Sequence, residues 1–218
     1  MRRTKEQAAQ TRQTILEAAK DLFLQTGYEQ VSLDEIAAAA GVKRGAVHFH
    51  FLNKAGLLTA ICEELRLPMQ ELAEHLEVDG TLAPLEALST VIAELFAELD
   101  GDARRRGLMR IAMAADASRS EDLDLNHDIM TFHERAKATL LGIFRAAERK
   151  GELAPPWNAQ SAALALHGLI GGLLTEFARR ENSRLIPESL NVVQTLLTAL
   201  GAKAAPRSCW SWPGRRKA

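Results

Sequence analysis

The sequence predicts an all-α fold, and three observations carry the prediction. Alanine and leucine abound while aromatic residues make up only 5% of the 218 positions, and straight-chain side chains lose little rotamer freedom in a helix. Apolar residues recur at the three- and four-residue spacing of a single helix face, with no strand-length alternation competing. Serine, proline and glycine stand where helices need to start and stop.

Over residues 11–26 the apolar positions Ile15, Ala19, Leu22 and Phe23 share one face, and Gly27 follows where a left-handed cap is wanted, so a first amphipathic helix ends there. Ser32-Leu33-Asp34-Glu35 then reads as a capping box opening a short second helix, with Leu33, Ile36, Ala37 and Ala40 on its apolar face and Gly41 as its stop. A third helix lies within KRGAVHFHF and ends near Leu52-Asn53. A long fourth runs over 54–76 and carries Pro68, which removes an N–H and is expected to kink or break it. After the loop VDGTLAP, further helices are expected over 84–99, 102–115, 121–149, 159–180 and 187–203, separated by Asp100-Gly101, Gly151 and Pro155-Pro156. The closing PRSCWSWPGRRKA has no helical period and reads as a tail.

At 47% hydrophobic and 25% charged, the chain is globular rather than disordered or fibrous. Its net charge of −1 hides an uneven distribution. Residues 1–54 hold 8 Lys/Arg against 6 Asp/Glu, residues 55–205 hold 15 against 22, and residues 206–218 hold 4 against none. A polyanion would therefore be held at the N-terminal end. Cys62 and Cys209 supply neither a disulfide framework nor a zinc-finger spacing. MRRTKEQAAQTRQ lacks the apolar run of a signal peptide, and the most apolar uncharged stretch, 161–175, is too short to span a bilayer, so a cytoplasmic protein without a membrane partner is expected.

Two helices joined by a tight turn at Gly41, with a third behind them, match the helix-turn-helix arrangement that sets its second helix into a DNA major groove. The residue chemistry fits. Lys43 and Arg44 open that helix, where base edges are read, and Gly45-Ala46 keep its backbone close to the groove. A cation at a helix N-terminus opposes the helix dipole, which a phosphate or guanine partner would offset. Ser32 and Lys54, both at helix starts, suit phosphate.

The run TRQTILEAAKDLFLQTGYEQVSLDEIAAAAGVKRGAVHFHFLNKAGLL resembles the first three helices and the start of the fourth in the TetR-type bacterial transcriptional regulators. RRTKEQAAQTR and RGAVHFHF are most similar to the branch that represses multidrug efflux pumps, the AcrR and TtgR type. The resemblance implies a homodimer with an N-terminal DNA-binding domain (1–54) on a palindromic operator, a helical ligand-binding and dimerisation domain (55–205), and a tail (206–218). It implies base reading by Arg44, Gly45 and Ala46, phosphate contacts from Ser32, His48, His50 and Lys54, and packing of Phe49 on the sugar-phosphate edge. His48 stands where the family usually has Tyr, which makes a phosphate contact there dependent on protonation. For His50, between two Phe residues, a packed core position is the competing reading.

The resemblance further implies a small hydrophobic or aromatic inducer whose entry releases the DNA. Met69, Met109 and Met113 suit an adaptable apolar pocket, as alternatives to plain core, with Leu65, Phe96, Met130, His133 and Phe177 as further candidates. Arg104-Arg105-Arg106 reads as solvated or paired with carboxylates, or as supplying one inward counter-charge to a ligand. Gly168, Gly171 and Gly172 lie inside an apolar helix and imply close backbone approach, either across a dimer or against the helix over 121–149.

No cofactor or metal is expected. The acidic stretch 122–128 imitates a calcium loop but has His127 where Gly is needed and His133 where the bidentate Glu belongs. No nucleophile–base pair or phosphate loop marks an enzyme. The readings held against a drug-efflux repressor are a helical interaction module without DNA binding and a regulator of a metabolic operon.

Overall fold

The computed structural model describes residues 5–78, 80–117, 123–180 and 185–201 and shows nine helices and no strand among them. In chain order these are α1 (Lys5–Thr26), α2 (Leu33–Ala39), α3 (Arg44–Phe51), α4 (Lys54–Val78), α5 (Pro84–Gly101), α6 (Ala103–Ala117), α7 (Leu123–Arg149), α8 (Ala159–Arg180) and α9 (Leu185–Leu200). The tail over 206–218 lies outside the described residues, as do the side chains of the acidic stretch 122–128.

Helix stops and starts follow local chemistry. Gly27 (φ 92°) and Gly41 (φ 64°) take the left-handed conformation expected of them. The Ser32 hydroxyl accepts from the Glu35 N–H at 3.2 Å while the Ser32 N–H donates to Glu35 Oε2 at 2.8 Å, completing the capping box. Those bonds, from the Ser32 backbone first and its hydroxyl second, hold the Glu35 carboxyl below its ordinary range.

Three expectations need correcting. α1 begins at Lys5 because the segment before residue 11, though without apolar period, consists of good helix formers. α4 is not broken at Pro68: Ala55 to Ile61 hold the turns before it in one core, and Leu72 and Leu76 hold the turns after it in another, which offsets the lost hydrogen bond. α9 stops short of Lys203 at Gly201, whose φ of 119° continues no helix.

Apolar side chains gather in two clusters. One joins Ile15, Leu16, Ala19 and Phe23 of α1, Ile36 of α2, Val47 and Phe51 of α3 and the α4 residues Ala55 to Ile61, with Leu108 inserted from α6. The other runs from Leu72 to Leu200 and draws on α4, α5, α7, α8 and α9. α4 is thus built into both, its first turns in one and its last in the other. Within the first cluster Gly56 brings α4 so close to the end of α3 that a Cβ would sit 2.1 Å from the Phe51 carbonyl oxygen.

Candidate nucleic-acid interface and ligand cavity

α3 anchors itself by Val47 and Phe51, which leaves Arg44, Gly45, His48 and Phe49 on its outer side, with Lys43 exposed as its N-cap. Phe49 is 80% exposed, far beyond what a core aromatic would be. Ala46 and His50 are half-buried. The His50 ring packs edge-on to Phe49 (5.0 Å between centroids) and tilted on Phe51 (6.3 Å), so its packed reading has geometric support. Arg44 Nη1 donates to Asp34 Oδ2 at 2.9 Å, with both side chains about two-thirds exposed. Such an exposed pair is worth under about 1 kcal/mol and yields readily to a guanine or phosphate.

Ser32 and Lys54 are more committed. The Ser32 hydroxyl donates to Glu35 Oε2 at 2.7 Å while serving as cap acceptor. Lys54 Nζ donates to the carbonyls of Tyr28 (2.9 Å) and Glu29 (3.1 Å) and lies 4.5 Å from the Tyr28 ring centroid. Its ammonium ties α4 to the segment after α1, a structural role the sequence did not reveal. His48 Nδ1 meets the Leu52 carbonyl oxygen at 2.5 Å.

A cavity of about 170 Å³ lies between α4, α5, α6, α7 and α8. By this measure a single water needs about 10–15 Å³. Leu65, Met69, Phe96, Met109, Met113 and His133 all border it, and Ile92, Leu99, Leu140 and Leu174 extend its apolar wall. Met130 and Phe177 do not border it: Met130 is 68% exposed, and Phe177 is buried in the larger core. The polar groups are few. The His133 and His167 rings stand edge to face at 5.7 Å, and Cys62, Arg105 and Thr139 add one heteroatom-bearing side chain each. Cys62, Thr139 and His167 escaped the sequence reading because no spacing links residues that meet only across three helices.

The arginine run divides its tasks. Arg104 bridges α6 to α1, pairing with Asp21 and, at 2.9 Å, with Glu17. Arg105 borders the cavity and pairs with Glu98 at 3.0 Å. Arg106 donates to the carbonyls of Leu99 and Asp100 at 3.0 and 2.5 Å, securing the α5–α6 corner. Burial pushes the Glu17 carboxyl up, but its bond to Lys20 and the charges of Lys20 and Arg104 outweigh this and hold it below its ordinary value. The Asp21 bond raises the Arg104 guanidinium. Gly107 completes the α1–α6 contact, since a Cβ there would lie 2.4 Å from Leu24 Cδ2.

On α8 a Cβ at Gly168, Gly171 or Gly172 would meet nothing within 4 Å. Close packing of these glycines against α7 is therefore overturned. Gly171 faces the cavity, while Gly168, Gly172 and Leu164 are exposed, and Val192 of α9 is 47% exposed. Among the described residues no helix is long and apolar enough to cross a membrane, and no three His, Cys, Asp or Glu side chains group as metal ligands would.

Residues 15–61 match the family model described as bacterial regulatory proteins, tetR family. The chain is 35% identical over 208 residues to the HTH-type transcriptional repressor BepR of Brucella suis biovar 1, covering 94% of this chain and 98% of that protein. It is 31% identical over 200 residues to the HTH-type transcriptional regulator TtgR of Pseudomonas putida, covering 88% and 89%. Among solved structures it superimposes on the SmeT–triclosan complex with a TM-score of 0.77 at 28% identity, over 93% of this chain and 100% of that one. SmeT is described as the repressor of the Stenotrophomonas maltophilia multidrug efflux pump SmeDEF.

Proposed function

The chain belongs to the TetR family of bacterial regulatory proteins, and from that premise we propose that it is a dimeric repressor of a drug-efflux operon, released from a palindromic operator when a hydrophobic small molecule fills the α4–α8 cavity. Each protomer lays α3 in a major groove. Arg44 reads a base edge with Gly45 and Ala46 beside it, and Lys43, His48, Phe49 and His50 meet the backbone. Ser32 and Lys54 contribute chiefly by holding α2 and α4 in place beside it. Residues 1–54 supply the DNA-contacting unit, and residues 55–205 bind inducer and dimerise. The exposed glycine-bearing face of α8, with α9, supplies the dimer contact.

One observation carries the regulatory part: two helices border the cavity and also enter the DNA-binding core. α4 contributes Ala55 to Ile61 to that core and Cys62, Leu65 and Met69 to the cavity. α6 contributes Leu108 to the core, Met109, Ala112 and Met113 to the cavity, and Arg104 to an ionic link with α1. A ligand that spreads these helices repositions α1–α3. It binds best when the two recognition helices are wrongly spaced for successive grooves, and the DNA-competent population falls. The apolar lining suits the class of compound to which triclosan belongs.

Selection from random duplexes tests the reading. A palindrome with half-sites about one helical turn apart is expected, and triclosan, used as the first probe, should displace it. Enrichment of no sequence would refute it.

A further inference from the structure

We propose that His48 contacts the DNA backbone only as an imidazolium, so that each protomer takes up a proton on binding a duplex. The inference rests on the reading of α3 as the DNA-facing helix, and it follows from one hydrogen bond. A carbonyl oxygen has no proton to give, so the 2.5 Å contact between His48 Nδ1 and the Leu52 oxygen places the proton on Nδ1. The bond is well supported. The Leu52 N–H donates to the His48 carbonyl at 2.9 Å, and Leu52 takes a positive φ (64°) with ψ −58°, a strained γ-turn conformation costly for a residue with a branched side chain. Ring and amide thus clasp residues 48 and 52 together, and that clasp holds the strained carbonyl.

With Nδ1 spent inward, Nε2 on the far side of the ring is the atom left for a partner. In a neutral imidazole carrying its proton on Nδ1, Nε2 is a bare lone pair, and a phosphate oxygen repels it. Only the doubly protonated ring donates to phosphate, whereas a tyrosine hydroxyl at this position would donate at any pH below its own ionisation. The charged groups around the ring already have partners. On α3 itself Arg44 lies one turn away, held by Asp34 of α2, and His50 stands two residues on. From α1, Arg12 stacks on Phe51, 4.8 Å from the ring centroid, and with His48 borders a shallow cleft beside the end of α3. From α4, Glu63 faces the cleft but is paired with Arg135 of α7 at 2.8 Å, and Lys54 is held by backbone carbonyls. The two carboxylates named, Asp34 and Glu63, are each paired with a cation, so the phosphate of a bound duplex is the anion left for the imidazolium.

The sign follows from linkage. The protonated form is the one that binds, so affinity is highest at low pH and falls as pH rises through the bound-state imidazole range. The experiment uses the full chain and a duplex recovered by random selection, with a random-sequence duplex beside it, at constant salt. Fluorescence anisotropy is read from about pH 6 to about pH 8, where a free imidazole changes charge. We expect affinity to fall by about tenfold or more over that range, on both duplexes, since phosphate contacts carry no sequence information. Calorimetry in buffers of different ionisation enthalpy should show proton uptake at neutral pH. His48→Tyr should abolish most of the slope while keeping tight binding at the alkaline end, and His50→Gln should retain the slope whatever it does to affinity. Affinity that is flat in pH, or as steep in His48→Tyr as in the parent, overturns the inference and leaves DNA binding standing. Failure of every duplex to bind at any pH overturns the reading of α3, and this inference with it.

Discussion

Around α3 nearly every polar group has a short-range partner: Ser32 its capping box, Arg44 the Asp34 carboxylate, Lys54 two carbonyls, His48 the Leu52 oxygen. The cavity is the opposite case, an apolar wall of methionine, leucine and phenylalanine from five helices with two imidazoles and a guanidinium at its edge. On the proposed function, the difference teaches how one chain would serve two partners. A fixed polar face suits a ligand of fixed geometry such as duplex DNA, whereas flexible unbranched side chains suit ligands whose shapes vary. It also locates the regulation, because α4 and α6 are where the rigid region and the adaptable one share side chains.

If the N-terminal unit is the rigid one, its tight glycine should be the least forgiving. Gly56→Ala forces a Cβ against the Phe51 carbonyl and should cost about 3 kcal/mol, read by urea denaturation, with DNA binding lost. Gly142→Ala in α7, where a Cβ meets open space, is the matched change in the body and should stabilise by about 0.5–1 kcal/mol. Similar losses in both would erase the contrast.

The DNA face itself is sharpened by two cations. Arg44→Ala should cost about 1–3 kcal/mol on the selected duplex and relax preference at one base position per half-site. Lys54→Ala should lower thermal stability as well as DNA affinity, because its ammonium ties α4 to residues 28 and 29. A Lys54→Ala protein with unchanged melting would show the tie to be idle.

Next come the cavity and its link. Met109→Trp should weaken binding of an aromatic ligand about tenfold, whereas Met130→Trp, outside the cavity, should leave it unchanged in calorimetry. Arg104→Ala should leave ligand affinity in place yet reduce ligand-driven DNA release by about 0.5–2 kcal/mol of coupling, since it removes the bridge from α6 to α1. The smallest effect concerns the Ser32–Glu35 box. Glu35 is held below its ordinary range, so its contribution is complete above the unfolded carboxyl value and is lost as pH falls through the lowered folded one. Melting curves should therefore show a slightly steeper acid loss in the parent than in Glu35→Gln.

How much could be read in the sequence tracks the same contrast. Ser32 with Glu35, and Gly27 and Gly41, act within a few residues of themselves, and their roles were legible because chain spacing is the geometry. Methionines at 69, 109 and 113 were legible as a group by their chemistry, but Cys62, Thr139 and His167 reach the same cavity through helix packing that no local spacing encodes. Met130 misled for the same reason, being three residues from His133 yet exposed and outside the cavity lining. Arg104 was read within a charge run and Gly107 drew no reading, and only the approach of α1 gives them a task.

The central claim is that the cavity and the DNA face draw on one equilibrium, and linkage makes it measurable without knowing either structure in complex. An aromatic compound found to bind the free protein would be titrated calorimetrically with and without saturating operator duplex, and the duplex titrated with and without the compound. The account predicts that each weakens the other by the same factor, about 5–150-fold. Equal ligand affinity in the presence and absence of operator would contradict it.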